Sequence, residues 1–237
     1  DSLRASEGVL HSAAHGRIEP LRKAIADGGD VNFQSMDNGP VMLAVRNNHA
    51  ECLALLLEHG ANPSPVTRTR WSPLHEASFH NQEHLVEALL AHPQVEAARL
   101  DIDKNTALMV AITQQAERAF GALIKATPDD MLDHQNWDGE TALFLATKQE
   151  SQAMVAQLIA RGANPTLANA EGLTPMEAAG AAGWSLGQTL LSQARRSWEA
   201  RAQAVAPAVS EEAQGLAEPE PAEAAPLVRR LGKRKFG

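Results

Sequence analysis

Small apolar and larger apolar positions alternate along this chain in a pattern that repeats. Ala13, Ala44, Ala77, Ala111, Ala146 and Ala179 recur at one helical position, each near the end of a short Ala-rich stretch. Leu21, Leu53, Val86, Phe120 and Val155 recur on a Leu-rich stretch that follows a Gly- or Asn-like break. The short segments that open the first stretch begin at Glu7, Gly39, Ser72, Thr106, Thr141 and Thr174, a period of 32 to 35 residues. Each period therefore reads as a turn, a short helix, a break and a second helix. A helix pair of this size cannot bury its apolar face alone, so stacking of neighbours must supply the core, with the small alanines at the close approaches. The prediction is an all-α solenoid of about six helix-turn-helix units.

Local signals agree. Ser72 can cap the helix that follows it, and Pro73 falls in the first turn, where a missing N–H costs little. Leu53 to Pro63 and Val155 to Pro165 align as one unit, both ending in Gly-Ala-Asn-Pro. The third and fourth units end differently, in His92-Pro93-Gln94 and in Ala126-Thr127-Pro128-Asp129-Asp130, so irregular loops are expected there. After Leu191, residues Ser192 to Arg201 read as a capping helix, with Trp198 over the last apolar face. From about Ala204 the composition turns to Ala, Pro and Glu, which cannot bury enough apolar area to offset ordering. The expected organisation is a repeat domain over 1–201, closed by the capping helix, and a disordered tail over 202–237. The tail carries Glu211, Glu212, Glu218, Glu220 and Glu223, then Arg229, Arg230, Lys233, Arg234 and Lys235.

The period and the string Ser72-Pro73-Leu74-His75-Glu76-Ala77, with Gly60-Ala61-Asn62, resemble the ankyrin repeat family and its TPLHxA-like signature. The resemblance covers roughly residues 5–194. It implies L-shaped units with projecting β-hairpin fingers and a concave helical face used chiefly to bind other proteins. Only His75 occupies the motif's histidine position; Met42, Met109, Phe144 and Glu177 stand there in other units. The polar bridging between repeats that this histidine supplies in the family is therefore expected to be reduced.

Composition narrows the function classes. The 237-residue chain is 44% hydrophobic but only 4% aromatic, with no Tyr, which favours a Leu/Ala helical core over a β-sandwich. Its formal net charge of -8 disfavours phosphate backbones and anionic membrane surfaces, so no nucleic acid and no membrane insertion are expected. No stretch approaches the roughly 18 apolar residues of a membrane span. Cys52 is the single cysteine, so no intramolecular disulfide is possible; a reducing, cytoplasmic setting is the default. Residue 1 is Asp, so a removed leader and export are also compatible with the sequence. A monomer or a heterocomplex is expected.

Several strings carry chemistry-bearing residues, and each also has a plain structural role. His80-Asn81-Gln82-Glu83-His84 satisfies the HxxEH pattern of the inverted zinc proteases, and a zinc-dependent hydrolase using His80 and His84 is the enzyme alternative. The repeat register, however, puts His80 at the end of one helix and His84 in the next, where their rings should diverge. Cys52 with His49 lacks an orienting carboxylate and sits at a core position. Gly28-Gly29 and Gly60-Ala61 are loop glycines without the Lys-Ser/Thr of a phosphate loop. Asp101, Asp103, Asp129, Asp130 and Asp133 lack the spacing of a calcium loop and read as turn formers. The basic terminus, Arg229 to Phe236, reads as a soluble tail, a docking segment or a targeting address. No catalytic residue, cofactor or metal is assigned.

The register sends several large side chains outward instead. Trp71 and Trp137 lie in the fingers before the third and fifth units, either as exposed anchors or folded back over neighbouring fingers. Arg46, Phe79, His80 and Lys148, at the ends of first helices, should face the groove, and Arg68 and Arg70 flank Trp71. Trp and Arg dominate interface hot spots, so these eight residues form the expected partner-binding set, with the aromatics and His80 as anchors and the cations as charge selectors. The expected function is non-catalytic binding of a protein partner through groove and fingers, to scaffold or occlude it. A second reading is an immunity or inhibitor protein that neutralises a cationic toxin or enzyme, because 24 acidic residues face 16 basic ones through residue 201.

Overall fold

The computed structural model describes residues 2–36 and 38–205. Twelve α-helices lie among them: α1 (Ser2–Ala14), α2 (Ile18–Ala26), α3 (Pro40–Arg46), α4 (Ala50–Glu58), α5 (Pro73–Phe79), α6 (Glu83–Leu90), α7 (Ala107–Thr113), α8 (Glu117–Ala126), α9 (Ala142–Lys148), α10 (Gln152–Arg161), α11 (Pro175–Ala181) and α12 (Ser185–Val205). The described residues contain no strand, only an isolated bridge between Ser35 and Asn38. Odd-numbered helices pack side by side in sequence order, and so do the even-numbered ones, giving a two-layer solenoid of six helix pairs.

The helices begin and end for local reasons. The side chains of Ser72, Thr106, Thr141 and Thr174 accept from the backbone N–H three residues on and cap α5, α7, α9 and α11. Seven-residue helices are nonetheless too short to persist alone, so packing must hold them. Each ends in a left-handed residue, Asn48 (φ 61°), Asn81 (φ 54°), Gln115 (φ 53°) and Glu150 (φ 52°) among them. The next N–H then reaches back to the recurrent alanine: His49 to the Ala44 carbonyl at 2.8 Å, Gln82 to Ala77 at 2.9 Å, Ala116 to Ala111 at 2.8 Å. This closing bond turns the chain into the second helix. The same alanines, Ala13, Ala44, Ala77, Ala111, Ala146 and Ala179, are all fully buried, as are Leu21, Leu53, Val86, Phe120 and Val155 on the second layer.

At the C-terminal end α12 runs on to Val205, past the expected boundary at residue 201. Leu191 and Ala194 on its inner face are buried, and Trp198 lines a cleft with Ile159 and Ala160 of α10. The Ala/Pro/Glu segment and the basic terminus lie outside the described residues. The irregular loop after α8 holds a 3-10 turn at Asp129–Met131. Arg161 ties it down from the next unit, bonding to the carbonyls of Ile124 and Thr127 and to Asp129.

Polar bridging between repeats is redistributed rather than lost. His75 reaches the Asn105 carbonyl of the next unit at 3.2 Å, as its motif position implies. Other side chains bridge units as well: His134 to the Lys104 carbonyl (2.9 Å), Gln135 to the Ala168 carbonyl (2.8 Å), and Asn81, whose amide oxygen accepts from the N–H groups of Arg118 and Ala119 at the start of α8. At the motif position itself only His75 bridges among the described residues, and Glu177 is used within its own unit at the Thr174 cap. Fingers and breaks also face the neighbouring repeat, so their side chains add polar contacts beyond that position.

Candidate functional site

Fingers are built by turn chemistry. Backbone bonds close them from Thr67 N–H to the Trp71 carbonyl, Asp101 to Asn105, Asn136 to Glu140 and Asn169 to Leu173, at 2.9 to 3.1 Å. Asp101, Asn136 and Asn169 also fold their side chains onto N–H groups two and four residues on, as Asx turns do. Successive fingers are then tied to one another by one recurring backbone bond. Ile102 N–H donates to Thr69 (2.9 Å), Trp137 to Asp103 (3.1 Å) and Ala170 to Asp138 (2.9 Å). Four fingers thus form a continuous row.

The residue after each turn-forming position stands at the tip: Met36, Arg68, Ile102, Trp137 and Ala170. Met36 is 89% exposed, Ile102 53% and Trp137 64%, large apolar groups held in water by a fixed backbone. Sequence reasoning found Trp137 and missed Met36 and Ile102. The signal was available, because all three follow the residue that starts the finger turn, but aliphatic side chains carry no hot-spot signature of their own. Trp137 is also partly committed: its indole N–H donates to the Ile102 carbonyl at 2.9 Å, and the Lys104 ammonium lies 3.8 Å from the ring centroid.

Beneath the fingers, four of the expected site residues converge on a carboxylate that the sequence reading did not single out. Glu76 is 7% exposed. It accepts from Arg46 Nε at 2.6 Å and from the Trp71 indole N–H at 2.6 Å, and His80 Nε2 lies 3.6 Å away. Phe79 stands edge-on to both Trp71 and His80, with ring centroids 6.2 and 5.2 Å apart, and is 43% exposed. Trp71 is half-buried, folded down along α5 instead of standing free at a tip. Arg46 also holds Asn38 of its own finger at 2.9 Å. Because Glu76 belongs to the third unit and Arg46 to the second, the pair clamps two repeats together. Arg68 and Arg70 are exposed on the third finger, with Arg70 at a left-handed position, φ 60°.

Lys148 lies apart from this cluster, 2.7 Å from the buried carboxylate of Glu140 at the base of the fifth finger. It lines a pocket of about 400 Å³ between the fifth and sixth units, floored by Phe144, Ala178 and Ala181 and rimmed by Asp138, Glu171 and Leu173.

The other chemical candidates resolve into structural roles. The α5 helix stops at Phe79 and α6 starts at Glu83, with Asn81 in the left-handed region between them, so His80 sits at the C-cap of α5 while His84 lies in α6. The Cys52 thiol is buried 4.0 Å from the Ser12 carbonyl, and burial, with the Glu51 charge second, pushes its pKa up. Asp101 and Asp133 accept backbone N–H groups within their turns and across repeats. His75 is fully buried: Nε2 faces a carbonyl and must carry the proton, leaving Nδ1 to accept from the Ser72 hydroxyl at 2.7 Å. Burial holds its pKa below the usual imidazole value.

Residues 9–99 match the family described as ankyrin repeats (3 copies), and residues 138–170 match the single ankyrin repeat. The chain belongs to the ankyrin repeat family. Among curated proteins, this ankyrin-repeat chain is 30% identical over 166 residues to protein glp-1 of Caenorhabditis elegans, covering 65% of the chain and 13% of that protein. It is 28% identical over 191 residues to the nuclear factor NF-kappa-B p105 subunit of Gallus gallus, covering 76% and 19%. The chain thus spans less than a fifth of the length of these relatives. The solved ankyrin repeat domain of Bcl-3, described as a member of the IkappaB family, shares the fold with a TM-score of 0.71 at 22% identity, over 79% of this chain and 85% of that one. Ankyrin repeats are in general protein-interaction modules and not catalysts, and no described helix is long and apolar enough to cross a membrane.

Proposed function

We propose that the chain is a non-catalytic binding module whose partner surface is the fingertip row and the groove beneath it, across units two to five. The carrying observation is the row of exposed apolar tips, Met36, Ile102 and Trp137, with the fingers of Ile102 and Trp137 tied to their neighbours by the same backbone bond. A surface fixed before binding loses little entropy on association. In the groove, Phe79 and the exposed side of Trp71 offer aromatic contact, with His80 beside them. Arg68 and Arg70 on the third finger supply positive charge. Arg46 and Lys148 hold buried carboxylates and act chiefly by fixing the groove's shape, since a partner would have to outcompete Glu76 and Glu140. The partner is a protein, held by apolar contact at the tips.

The test is quantitative capture from lysate of the source cell, comparing the full chain with its Ile102→Ser/Trp137→Ala variant and with a control altered on the opposite face, Glu58→Gln. Loss of two central apolar anchors should lower recovery of the dominant partner by about tenfold or more, with the control unchanged. Equal recovery by all three would remove the fingertips from the binding surface.

A further inference from the structure

The pocket between the fifth and sixth units has a lining that points to one ligand chemistry. Its rim carries Asp138, Glu140 and Glu171 against the single cation Lys148. Lys148 is already spent on Glu140, at 2.7 Å. Asp138 and Glu171 are exposed and have no ion-pair partner among the described residues. They come from adjacent fingers held together by the bond from Ala170 N–H to the Asp138 carbonyl, so their carboxylates stay on one rim. The floor is apolar, with Phe144 and Ala178, and Leu173 forms a side wall. An acidic rim over an apolar floor suits a long cationic side chain, which can lay its methylene stem on the floor and keep its charged head at the rim. At about 400 Å³ the pocket has room for one such side chain and part of its backbone.

We propose that this pocket is a cation-binding subsite and that its occupant is the chain's own basic segment, Arg229 to Lys235. The segment carries five positive charges and no acid. Pocket wall and chain exit belong to the same repeat: Ala181 lines the pocket, and α12 leaves from Ser185 and ends at Val205. Helix rise and the intervening turn put Val205 within about 45 Å of the pocket. The 24 residues from there to Arg229 can reach up to about 80 Å, more than the distance to the pocket. A tether that reaches the pocket makes binding intramolecular and raises the effective concentration of the segment there. The assignment shares the groove with the proposed function but needs no partner to be true.

Zero-length carbodiimide coupling of the full chain, read by mass spectrometry, tests it. Lys233 and Lys235 should couple to Asp138 and Glu171 about fivefold more than to exposed carboxylates of units one to four. The preference should vanish in about 0.5 M NaCl, where exposed charges are screened. Replacing all five tail cations by Gln, outside the repeats, should shift the amide resonances of Ala170 and Glu171 in the full chain and leave those of units one to three in place. Even distribution of the tail lysines over exposed acids, links that grow with protein concentration and so join two copies, or unmoved Ala170 and Glu171 amides would each overturn the proposal.

Discussion

Replacing Arg46 by Met removes a guanidinium while keeping most of the apolar stem, and it isolates the consequence for Glu76. In the folded chain Glu76 is almost fully buried, with its Arg46 partner 2.6 Å away and the Trp71 indole N–H at the same distance. A hydrogen bond to a charged group contributes about 1.5–3 kcal/mol, and stripping one partner from a fully buried pair costs more, about 3–5 kcal/mol. Arg46 is itself 39% exposed, so water can follow the lost guanidinium to Glu76 and reduce the penalty. The expected destabilisation is about 2 kcal/mol, well above the roughly 0–1 kcal/mol of an ordinary surface pair. Urea unfolding followed by circular dichroism reads it directly: with a slope of about 2–3 kcal/mol/M, the midpoint should fall by about 0.7–1 M. Neutralising the stranded acid as well, in Arg46→Met/Glu76→Gln, should restore about 1 kcal/mol relative to Arg46→Met alone, because the two sites are coupled. If Arg46→Met unfolds within about 0.5 kcal/mol of the parent chain, the clamp between units two and three contributes nothing, and Arg46 returns to the pool of side chains free for a partner.

Two further outcomes follow from buried geometry. Burial lowers the pKa of His75 from its ordinary 6.5, so below that value the unfolded chain takes up a proton that the folded chain resists. Stability from this group is complete above about pH 6.5 and is lost as pH falls toward the depressed folded value; melting temperatures should drop between pH 7.5 and 5.5 (about two units), less steeply in His75→Gln, and identical slopes in the two chains would refute the assignment. Gly139 has φ 71°, and a β-carbon there would meet the Ala170 backbone nitrogen at 2.5 Å, so Gly139→Ala should cost about 2 kcal/mol or more and open the fifth finger from the sixth. Hydrogen exchange at Ala170, whose N–H bonds to Asp138, should then speed up ahead of the helices; unchanged protection would mean that the fingers are not joined through this contact.

The helices, their breaks and the buried alanines were legible from the sequence because their causes are local or periodic. A capping Ser acts within three residues, and a small residue at each close helix approach recurs once per unit, so Ser72 and Ala77 declare those roles without knowledge of their neighbours. Trp137 at a fingertip was equally visible from register. The convergence of Arg46, Trp71, Phe79 and His80 on Glu76 was not. It joins residues as far apart as 46 and 76, and whether a charged side chain faces solvent or a buried carboxylate depends on how two repeats stack. The same stacking committed Lys148 to Glu140 and set Asp138 beside Glu171 on one rim. Sequence alone determined the repeating architecture, since each unit carries its own helix signals and an apolar face that only another unit can cover. Tertiary structure decided which polar groups are used up in holding the stack and which remain exposed at its tips and rim, because electrostatic partners are chosen by distance in space and not by spacing along the chain.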